Sequence, residues 1–527
     1  MRQNCVLAAL CAALMLLGID QTVLNAALPD MQRELRLTAA QLQWVVATYM
    51  LVLAAAVLAA GNWGDRRGRR TALVAGLWVC GCASVLGAVA DSAAHVVLAR
   101  GLMGAGAALI MPSTLSILVQ VFTRPDRQRL AVTVWATVAG VGVLVGPLLG
   151  GWLVERYSWR ACFWGNVPLV ALALAAVLAV VPACRPRRAP PADPGGLLLS
   201  SAGLTAVMWA FVQAPQHGWT DGRVTGVAAV GTVLLALMLC WEGRVRSPML
   251  PLSLFRDRGY AVAVGTLSAL FFTLVGSTFI LTFHLQGLRG MSPLEAGSTM
   301  VLGGLGVTCG GALAAAGARR AAARHMMVTG LVLCGIAFLV LAGVSAESGD
   351  GRLHVFLLVV GLGTGLAGGP ATSLIMGAVP GETSGVGAAV NDAVRSVGST
   401  SGVAIMGSAF NTFYSSAMRD QHQAPPGGAA HGARDHLLTA LSQARDMAAG
   451  AGPSGSARNT GQLEAAKSLA YAARTAFVTA LQNTACLSAA LCFTGAGATL
   501  FLLRETRRTH GSAPVRTGTT TTSGCPQ

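Results

Sequence analysis

Residues 61–71 read Gly61-Asn62-Trp63-Gly64-Asp65-Arg66-Arg67-Gly68-Arg69-Arg70-Thr71. An apolar segment of about 20 residues, the length that a helix needs to cross a bilayer, lies on each side of this stretch. The glycines permit a tight reversal of the chain, and the acid and the arginines are charges that belong at a membrane surface. The stretch therefore predicts a short turn between two membrane-spanning helices.

The composition of the whole chain agrees with this prediction. Its 527 residues are 54% hydrophobic and only 11% charged, whereas roughly 25% of the residues in an average soluble domain are charged. So few polar groups cannot cover the surface of a water-soluble globule, and the composition predicts a membrane protein. The net charge of +16 comes from short basic clusters between apolar segments, so we expect no nucleic-acid partner.

Apolar segments of bilayer-spanning length recur along the chain. The segment near the amino end carries Asp20 and lacks a strongly basic leader, so we expect a retained first helix rather than a signal peptide. The sequence predicts an all-α integral membrane protein with fourteen transmembrane helices. The predicted spans cover residues 5–28, 42–61, 71–91, 95–119, 131–154, 162–183, 196–215, 224–241, 260–285, 296–317, 326–345, 354–378, 385–410 and 478–503.

Arginines are concentrated in alternate loops, and this asymmetry predicts the orientation of the chain. By the positive-inside rule the basic side is cytoplasmic. We expect a multi-pass protein of a bacterial cytoplasmic membrane with both termini in the cytoplasm. The arginines on the basic side lie in the chain ends and in loops 66–70, 124–129, 185–188, 244–258 and 319–324.

Two segments have a composition unlike that of membrane spans. Residues 411–477 combine polar and Gly/Pro stretches with two amphipathic patterns, which predicts an external helical hairpin. Residues 506–527 are rich in Thr, Ser, Gly and Arg and have no apolar face to bury. We expect a disordered cytoplasmic tail there.

The sequence lacks the motifs of several enzyme classes. The P-loop of nucleotide-hydrolysing motors needs a lysine, and the only lysine in the chain is Lys467, in the predicted hairpin. There is no HExxH motif, no GxSxG motif at a strand-to-helix turn, and no metal-ligand spacing among the cysteines. We therefore expect no catalytic residues, no metal, no cofactor and no ATP as an energy source.

The pattern GxxxDRxGRR in residues 61–70, placed between the second and third predicted spans, resembles the signature of the major facilitator superfamily. Members of this family transport solutes by moving two six-helix halves against each other. The resemblance implies that this stretch acts as a conformational switch loop. Its residues are Gly61, Gly64, Asp65, Arg66, Gly68, Arg69 and Arg70.

Two further motifs resemble those of drug:proton antiporters in this family. Residues 20–29 match the pattern DxTxxNxALP, and residues 98–106 contain the pattern RxxxG. The resemblance implies that Asp20, Arg100 and Asn25 take part in proton coupling or line the substrate cavity. A static ion pair between Asp20 and Arg100 is the structural alternative.

The fifth predicted span resembles the GxxxGPxxGG signature of exporters, and residues 159–168 resemble the corresponding stretch of the fourteen-helix branch. In that branch two helices are inserted between the six-helix halves. The implied division is 1–184 for the first half, 185–258 for the inserted helices, 259–505 for the second half and 506–527 for the tail. The signature residues are Gly142, Gly146, Pro147, Gly150 and Gly151.

Charged residues within the predicted spans are also informative. Asp20 and Arg100 lie at similar depths, roughly 12 Å and 9 Å from the external ends of their helices. An ionised Asp costs about 2.5 to 3.5 kcal/mol to insert at a helix centre, which marks Asp20 as a functional candidate. Asp392 and Arg395 are expected to be interfacial if their helix begins at residue 391.

Together these features predict a secondary exporter that uses the proton motive force to move amphipathic drugs or antibiotics out of the cell. Its partners would be small amphipathic substrates, protons and membrane lipids, and a monomer would suffice. Three alternatives stay open at this point. They are an exporter dedicated to a self-made metabolite or antibiotic, a proton-coupled importer, and a membrane enzyme or sensor.

Overall fold

The computed structural model describes residues 2–37, 39–182, 193–245, 252–317, 323–345, 350–379, 384–421 and 457–503, and the regular elements in these ranges are helices, with no strand. Short 3₁₀-helices lie at Val23–Ala27 and Leu252–Arg256, and a π-helix at Phe283–Leu288. The α-helices are α1 (Arg2–Thr22), α2 (Leu28–Leu35), α3 (Ala39–Arg67), α4 (Arg69–Ala88), α5 (Ala93–Val121), α6 (Pro125–Arg156), α7 (Arg160–Val180), α8 (Pro194–His217), α9 (Gly222–Glu242), α10 (Arg258–Thr282), α11 (Pro293–Gly317), α12 (Ala323–Ala342), α13 (Gly351–Gly377), α14 (Ser384–Gln421) and α15 (Ala457–Leu502).

Within the described part of the chain, 13 helices are long and apolar enough to cross a membrane. These are α1, α3 to α13 and α15. The helix α14 occupies the position of the remaining predicted span and has 38 residues. Its polar residues, among them Asn391, Asp392 and Arg395, keep it outside this group. The count of fourteen crossings therefore stays a prediction.

Helix packing divides the described chain into two bundles that share one arrangement. In the first bundle α1 packs against α6 and α7, α3 against α5, and α4 against α5 and α7. The same pairings recur in the second bundle, where α10 packs against α14 and α15, α11 against α13, and α12 against α13 and α15. The bundles meet where α6 contacts α11 and where α3 contacts α14.

The helices α8 and α9 pack against each other, and α8 also contacts α3 and α14. Asp193 and Asp221 stand at the N-termini of α8 and α9, and each accepts a hydrogen bond from a backbone N–H of the first turn. Caps of this kind stabilise a helix by about 1 kcal/mol.

The domain boundaries predicted from the sequence, for the two six-helix halves and for the inserted central helices, stay predictions.

Apolar side chains fill each bundle and also cover its outside. Tyr49, Trp135 and Phe163 are fully buried in the first bundle, and Phe338 and Phe356 in the second. Large apolar side chains nevertheless remain on the outer faces of many helices. Exposed apolar surface on this scale is unfavourable in water, but hydrocarbon tails accommodate it. The fold is that of a protein surrounded by lipid.

The helices that flank the predicted hairpin extend into its sequence. The helix α14 continues to Gln421, α15 begins at Ala457, and the two pack through a cluster that includes Tyr414, Met418 and Phe477. The tip of the hairpin, residues 422–456, and the tail predicted at 506–527 lie outside the described residues. Both assignments stay predictions.

Candidate functional site

Asp20 lies in the last turn of α1, yet only 3% of the residue is exposed. The helical path continues beyond α1 through the 3₁₀-helix Val23–Ala27 into α2, so Asp20 lies inside the bundle. An ionised carboxylate in such a place carries a desolvation cost of several kcal/mol unless other groups stabilise it. The contacts around Asp20 are therefore the centre of the candidate site.

Arg100 of α5 is the charged neighbour of Asp20. Its Nη1 lies 3.7 Å from Asp20 Oδ2 and donates a hydrogen bond of 3.2 Å to the Asp20 backbone carbonyl. Its Nε donates to the carbonyl of Val45, and its guanidinium lies 4.4 Å from the centroid of the Tyr49 ring. The position of Arg100 is thus held by α1 and α3 together, independently of the charge on Asp20.

Asn166 of α7 is a member of the site that sequence reasoning missed. Its Nδ2 donates a 2.7 Å hydrogen bond to Asp20 Oδ1, and the residue is 3% exposed. An amide within an otherwise apolar span was the available signal. Three helices, α1, α5 and α7, therefore meet at one carboxylate. Asn25 lies in the 3₁₀-helix that follows α1, and its side chain is outside the described part of the structure.

The glycines of α6 bring that helix into backbone contact with α1. A Cβ at Gly142 would lie 2.7 Å from the Met15 carbonyl oxygen and 3.1 Å from Gly18 Cα. Cβ atoms at Gly146 and Gly150 would meet the Ile19 and Val23 carbonyl oxygens of the same path. Three glycines spaced four residues apart share one helix face. Their face covers the turns before and after Asp20, in α1 and at the start of the 3₁₀-helix that follows it.

The opposite side of α6 contacts α11 of the second bundle. A Cβ at Gly151 would lie 3.0 Å from Leu294 Cα, and a Cβ at Gly297 would lie 2.9 Å from the Pro147 carbonyl carbon. No side chain separates the two backbones at these points. The helix that touches α1 around Asp20 is therefore also a helix through which the two bundles meet.

The predicted loop at 61–71 is a break of one residue between two helices. Gly68 has a φ of 105°, a backbone conformation that residues with a Cβ rarely adopt, and it separates α3 from α4. Gly61, Gly64, Asp65 and Arg66 belong to the last turns of α3, and Arg66 is exposed. The chain reverses without a longer loop because this conformation changes its direction within one residue.

An ion pair spans this break. Arg69 of α4 approaches Asp65 Oδ1 at 2.8 Å, and the residues are only 8% and 4% exposed. Arg70 donates to the carbonyl of Leu178 at the end of α7. The charges of this stretch are thus divided between a buried pair and a contact at the surface. Arg69 links α3 to α4, and Arg70 links α4 to α7.

The expectation that Asp392 and Arg395 are interfacial is wrong. Their helix α14 begins at Ser384 rather than at residue 391, which places both residues more than two turns inside it. Asp392 is 0% exposed and Arg395 is 7% exposed. The predicted span 385–410 agrees with this start, and the alternative start at residue 391 is the one that the structure excludes.

A second cluster lies outside the spans, at the end of the first bundle where α2 meets α7. Glu34 of α2 accepts hydrogen bonds from Arg160 and from Trp159 Nε1, and Arg160 also donates to the Ala90 carbonyl. Hydrogen bonds from Arg160 and Trp159 lower the pKa of the Glu34 carboxyl. The cluster ties α2 to the start of α7 and to the turn before α5.

No metal site is indicated by the side chains that the structure describes, because no three His, Cys, Asp or Glu residues among them are placed to hold one ion. The chemistry of the candidate site is that of one carboxylate, one guanidinium and one amide. These groups can bind and release a proton or bind a polar group, and the helices that carry them contact both bundles through α6.

Comparison with known proteins yields a family and named relatives. The family model described as Major Facilitator Superfamily matches residues 10–403. The chain is 34% identical to the multidrug efflux pump LfrA of Mycolicibacterium smegmatis, over 78% of this chain and 81% of that protein. It is 30% identical to the tetracenomycin C resistance and export protein of Streptomyces glaucescens, over 76% of this chain and 74% of that protein.

Solved structures show the same fold at low sequence identity. The human organic anion transporter MFSD10 superposes with a TM-score of 0.59 at 14% identity, over 93% of this chain and 99% of that one. The proton:xylose symporter XylE superposes with a TM-score of 0.55 at 12% identity, over 75% of this chain and 86% of that one. At such identities the likeness concerns the fold alone.

Proposed function

The chain belongs to the major facilitator superfamily, and from this premise we propose that it is a drug exporter that couples the outward movement of amphipathic drugs or antibiotics to the inward movement of protons. The relatives support export as the direction, since their names describe a multidrug efflux pump and a resistance and export protein at 30–34% identity. The proton gradient is the energy source, and no cofactor is required.

The proposed topology has fourteen crossings. We assign α14, which contains the predicted span 385–410, as the remaining crossing, because it packs among α3, α5, α10 and α15, all of which are candidate spans. The helices α8 and α9 would be the inserted pair, and the basic loops would place both termini in the cytoplasm. Substrates would enter between the two bundles.

The contact between Asp20, Arg100 and Asn166 is the observation that carries the proposed coupling. When Asp20 is ionised, Arg100 at 3.7 Å and Asn166 at 2.7 Å stabilise it. Removing one partner's charge from a buried pair costs about 3 to 5 kcal/mol, and protonation of Asp20 removes such a charge. Protonation of Asp20 therefore weakens the contacts by which its carboxylate holds α1 to Arg100 of α5 and to Asn166 of α7.

The glycine face of α6 would transmit this local change to the rest of the molecule. Movement of α1 alters its backbone contact with α6 at Gly142, and α6 contacts the second bundle at Gly151. One elementary charge moving down 100 mV supplies about 2.3 kcal/mol, enough for a roughly fifty-fold gradient of a neutral substrate. The proton motive force is thus sufficient for export.

Proton flux in proteoliposomes tests the proposal. We would impose a pH gradient, add tetraphenylphosphonium, puromycin or tetracenomycin C, and compare wild type with Asp20→Asn. Asp91→Asn is the matched control, because Asp91 is an exposed acid that pairs with His95 outside the bundle. We expect substrate-driven flux in wild type and control and its loss in Asp20→Asn. Full flux in folded Asp20→Asn would exclude Asp20 as the coupling acid.

Export of a self-made antibiotic is the second candidate role, supported by the Streptomyces relative that is named for both resistance and export. This role and broad drug defence share one mechanism but differ in substrate range. A panel of chemically unrelated compounds separates them, because a dedicated exporter would show proton flux with one scaffold and none with the others. Flux with several unrelated scaffolds would exclude the dedicated role.

A further inference from the structure

A second buried pair of charges lies in α14, away from Asp20. Asp392 and Asn391 are 0% exposed and Arg395 is 7% exposed. Gly398 and Gly402 hold α14 against the Ser268 and Phe272 carbonyl oxygens of α10. This packing corresponds to that of α6 on α1 in the first bundle. The charges therefore lie on the helix that is the counterpart of α6.

Arg395 lies between aromatic rings of both bundles. Its guanidinium is 4.3 Å from the ring centroid of Phe271 in α10 and 5.4 Å from that of Trp135 in α6. The Trp135 ring is fixed in turn by a hydrogen bond from its Nε1 to Thr114 Oγ1 of α5. The planar cation is thus flanked by one aromatic ring from each bundle.

The hydrogen-bonding capacity of the pair is largely unused by the described part of the protein. Asp392 Oδ1 accepts a hydrogen bond from Asn391 Nδ2 at 3.2 Å, but Asp392 Oδ2 accepts none there. Arg395 Nε and Nη1 likewise donate to no group among the described residues. Buried charged groups left without partners cost more than the roughly 1 to 3 kcal/mol of a neutral one.

Asp392 and Arg395 also form no hydrogen bond or close ion pair with each other. In the structure as described, no carboxylate oxygen of Asp392 lies within 4.0 Å of a guanidinium nitrogen of Arg395. The position therefore offers an acceptor, at least two donors and flanking aromatic surfaces. A ligand with complementary groups would satisfy both charges at once. The two charges sum to zero, so the position has no preference for a cation.

We propose that Asp392, Arg395, Trp135 and Phe271 form a substrate subsite for planar aromatic compounds that are neutral or zwitterionic. An acceptor oxygen of the compound, from a carbonyl, phenolate or carboxylate group, accepts from Arg395. A hydroxyl or amine of the compound donates to Asp392. The subsite rests on the proposed export function and narrows its substrate class. Permanent cations without donors or acceptors do not use it.

Equilibrium binding to the purified full-length protein in lipid nanodiscs tests the subsite. The probe is 1-amino-4-hydroxyanthraquinone, a planar neutral compound with carbonyl acceptors and amine and hydroxyl donors, and tetraphenylphosphonium is the comparison cation. Loss of a hydrogen bond to a charged group should weaken anthraquinone binding about 10- to 100-fold in Arg395→Gln. Tetraphenylphosphonium binding should not weaken, because the variant leaves the negative charge of Asp392 without Arg395 beside it.

Two further variants keep the test decisive if Arg395→Gln fails to fold. Arg395→Lys retains the charge but loses the planar fork and its stacking, and Asp392→Asn retains the size but loses the charge. Both should weaken anthraquinone binding, and Arg395→Lys, which keeps the charge balance, should leave tetraphenylphosphonium binding unchanged. Arg419→Gln is the matched control, because it removes an exposed arginine from the same helix and should bind both probes as wild type does.

The outcomes distinguish the subsite from the export function. Failure of wild type to bind the anthraquinone, unchanged anthraquinone binding in the variants, or equal loss of both probes would overturn the subsite. Proton-driven transport of tetraphenylphosphonium in proteoliposomes reports on the export function separately. If anthraquinone binding depends on Arg395 while neither probe drives proton flux in wild type, the subsite stands and the export proposal fails.

Discussion

The contact between α6 and α1 gives the sharpest prediction, the effect of Gly142→Ala. The added Cβ would lie 2.7 Å from the Met15 carbonyl oxygen, whereas ordinary van der Waals contact begins at 3.4 Å. The other near atoms, Gly18 Cα at 3.1 Å and Met15 Cα at 3.3 Å, are also backbone. No side chain can rotate away, so the helices must separate by about 0.7 Å at this point.

Overpacking of this kind costs about 1 to 3 kcal/mol. Alanine is otherwise the better helix residue by about 0.5 to 1 kcal/mol, which offsets part of the cost. Gly368→Ala in α13 isolates this offset, because among the described residues no atom beyond its own stretch of helix lies within 4 Å of its Cβ position. The net expectation is that Gly142→Ala is destabilised and Gly368→Ala is slightly stabilised.

The assay is the apparent melting temperature of each purified variant, followed by substrate-driven proton flux. Gly142→Ala should melt below wild type and show reduced flux, because α1 carries Asp20 only two residues beyond Gly18. Gly368→Ala should melt at or above wild type and retain flux. If Gly142→Ala matched Gly368→Ala in both measurements, direct backbone contact between α6 and α1 would be refuted.

Three other predictions concern single contacts. Asn166→Ala removes a hydrogen bond to the Asp20 carboxylate worth about 1.5 to 3 kcal/mol, so substrate-driven proton flux should fall in folded protein. Unchanged flux would contradict a role of Asn166 in proton coupling. The pKa of Glu34 is lowered in the folded protein, so its half-exposed pair with Arg160 should stabilise the fold by roughly 0.2 to 1 kcal/mol at neutral pH. This stabilisation should disappear as the pH falls below about 4. The melting temperature of Glu34→Gln should lack this fall between neutral and acidic pH. Gly68→Ala forces a side chain onto positive φ at a cost of about 1 to 3 kcal/mol, so its melting temperature should fall more than that of Gly222→Ala, whose Cβ position is open.

The sequence by itself was sufficient for the membrane class, the family and most of the helices. Hydrophobicity and loop charge are properties of short segments, so they indicate spans such as α1 or α12 without knowledge of their neighbours. The four-residue spacing of Gly142, Gly146 and Gly150 likewise predicts one packed face from helical geometry alone. The GxxxDRxGRR motif of residues 61–70 indicated the family because its residues lie in one continuous stretch of sequence.

The tertiary structure decided what lies beside each polar group. Asn166 is 146 positions from Asp20 in the chain, and no local pattern indicates that their helices meet. The burial of Asp392 and Arg395 depends on the helices that pack around α14 and on rings supplied by α6 and α10. Contacts between distant segments follow from how whole helices pack, and a sequence read segment by segment does not contain that arrangement.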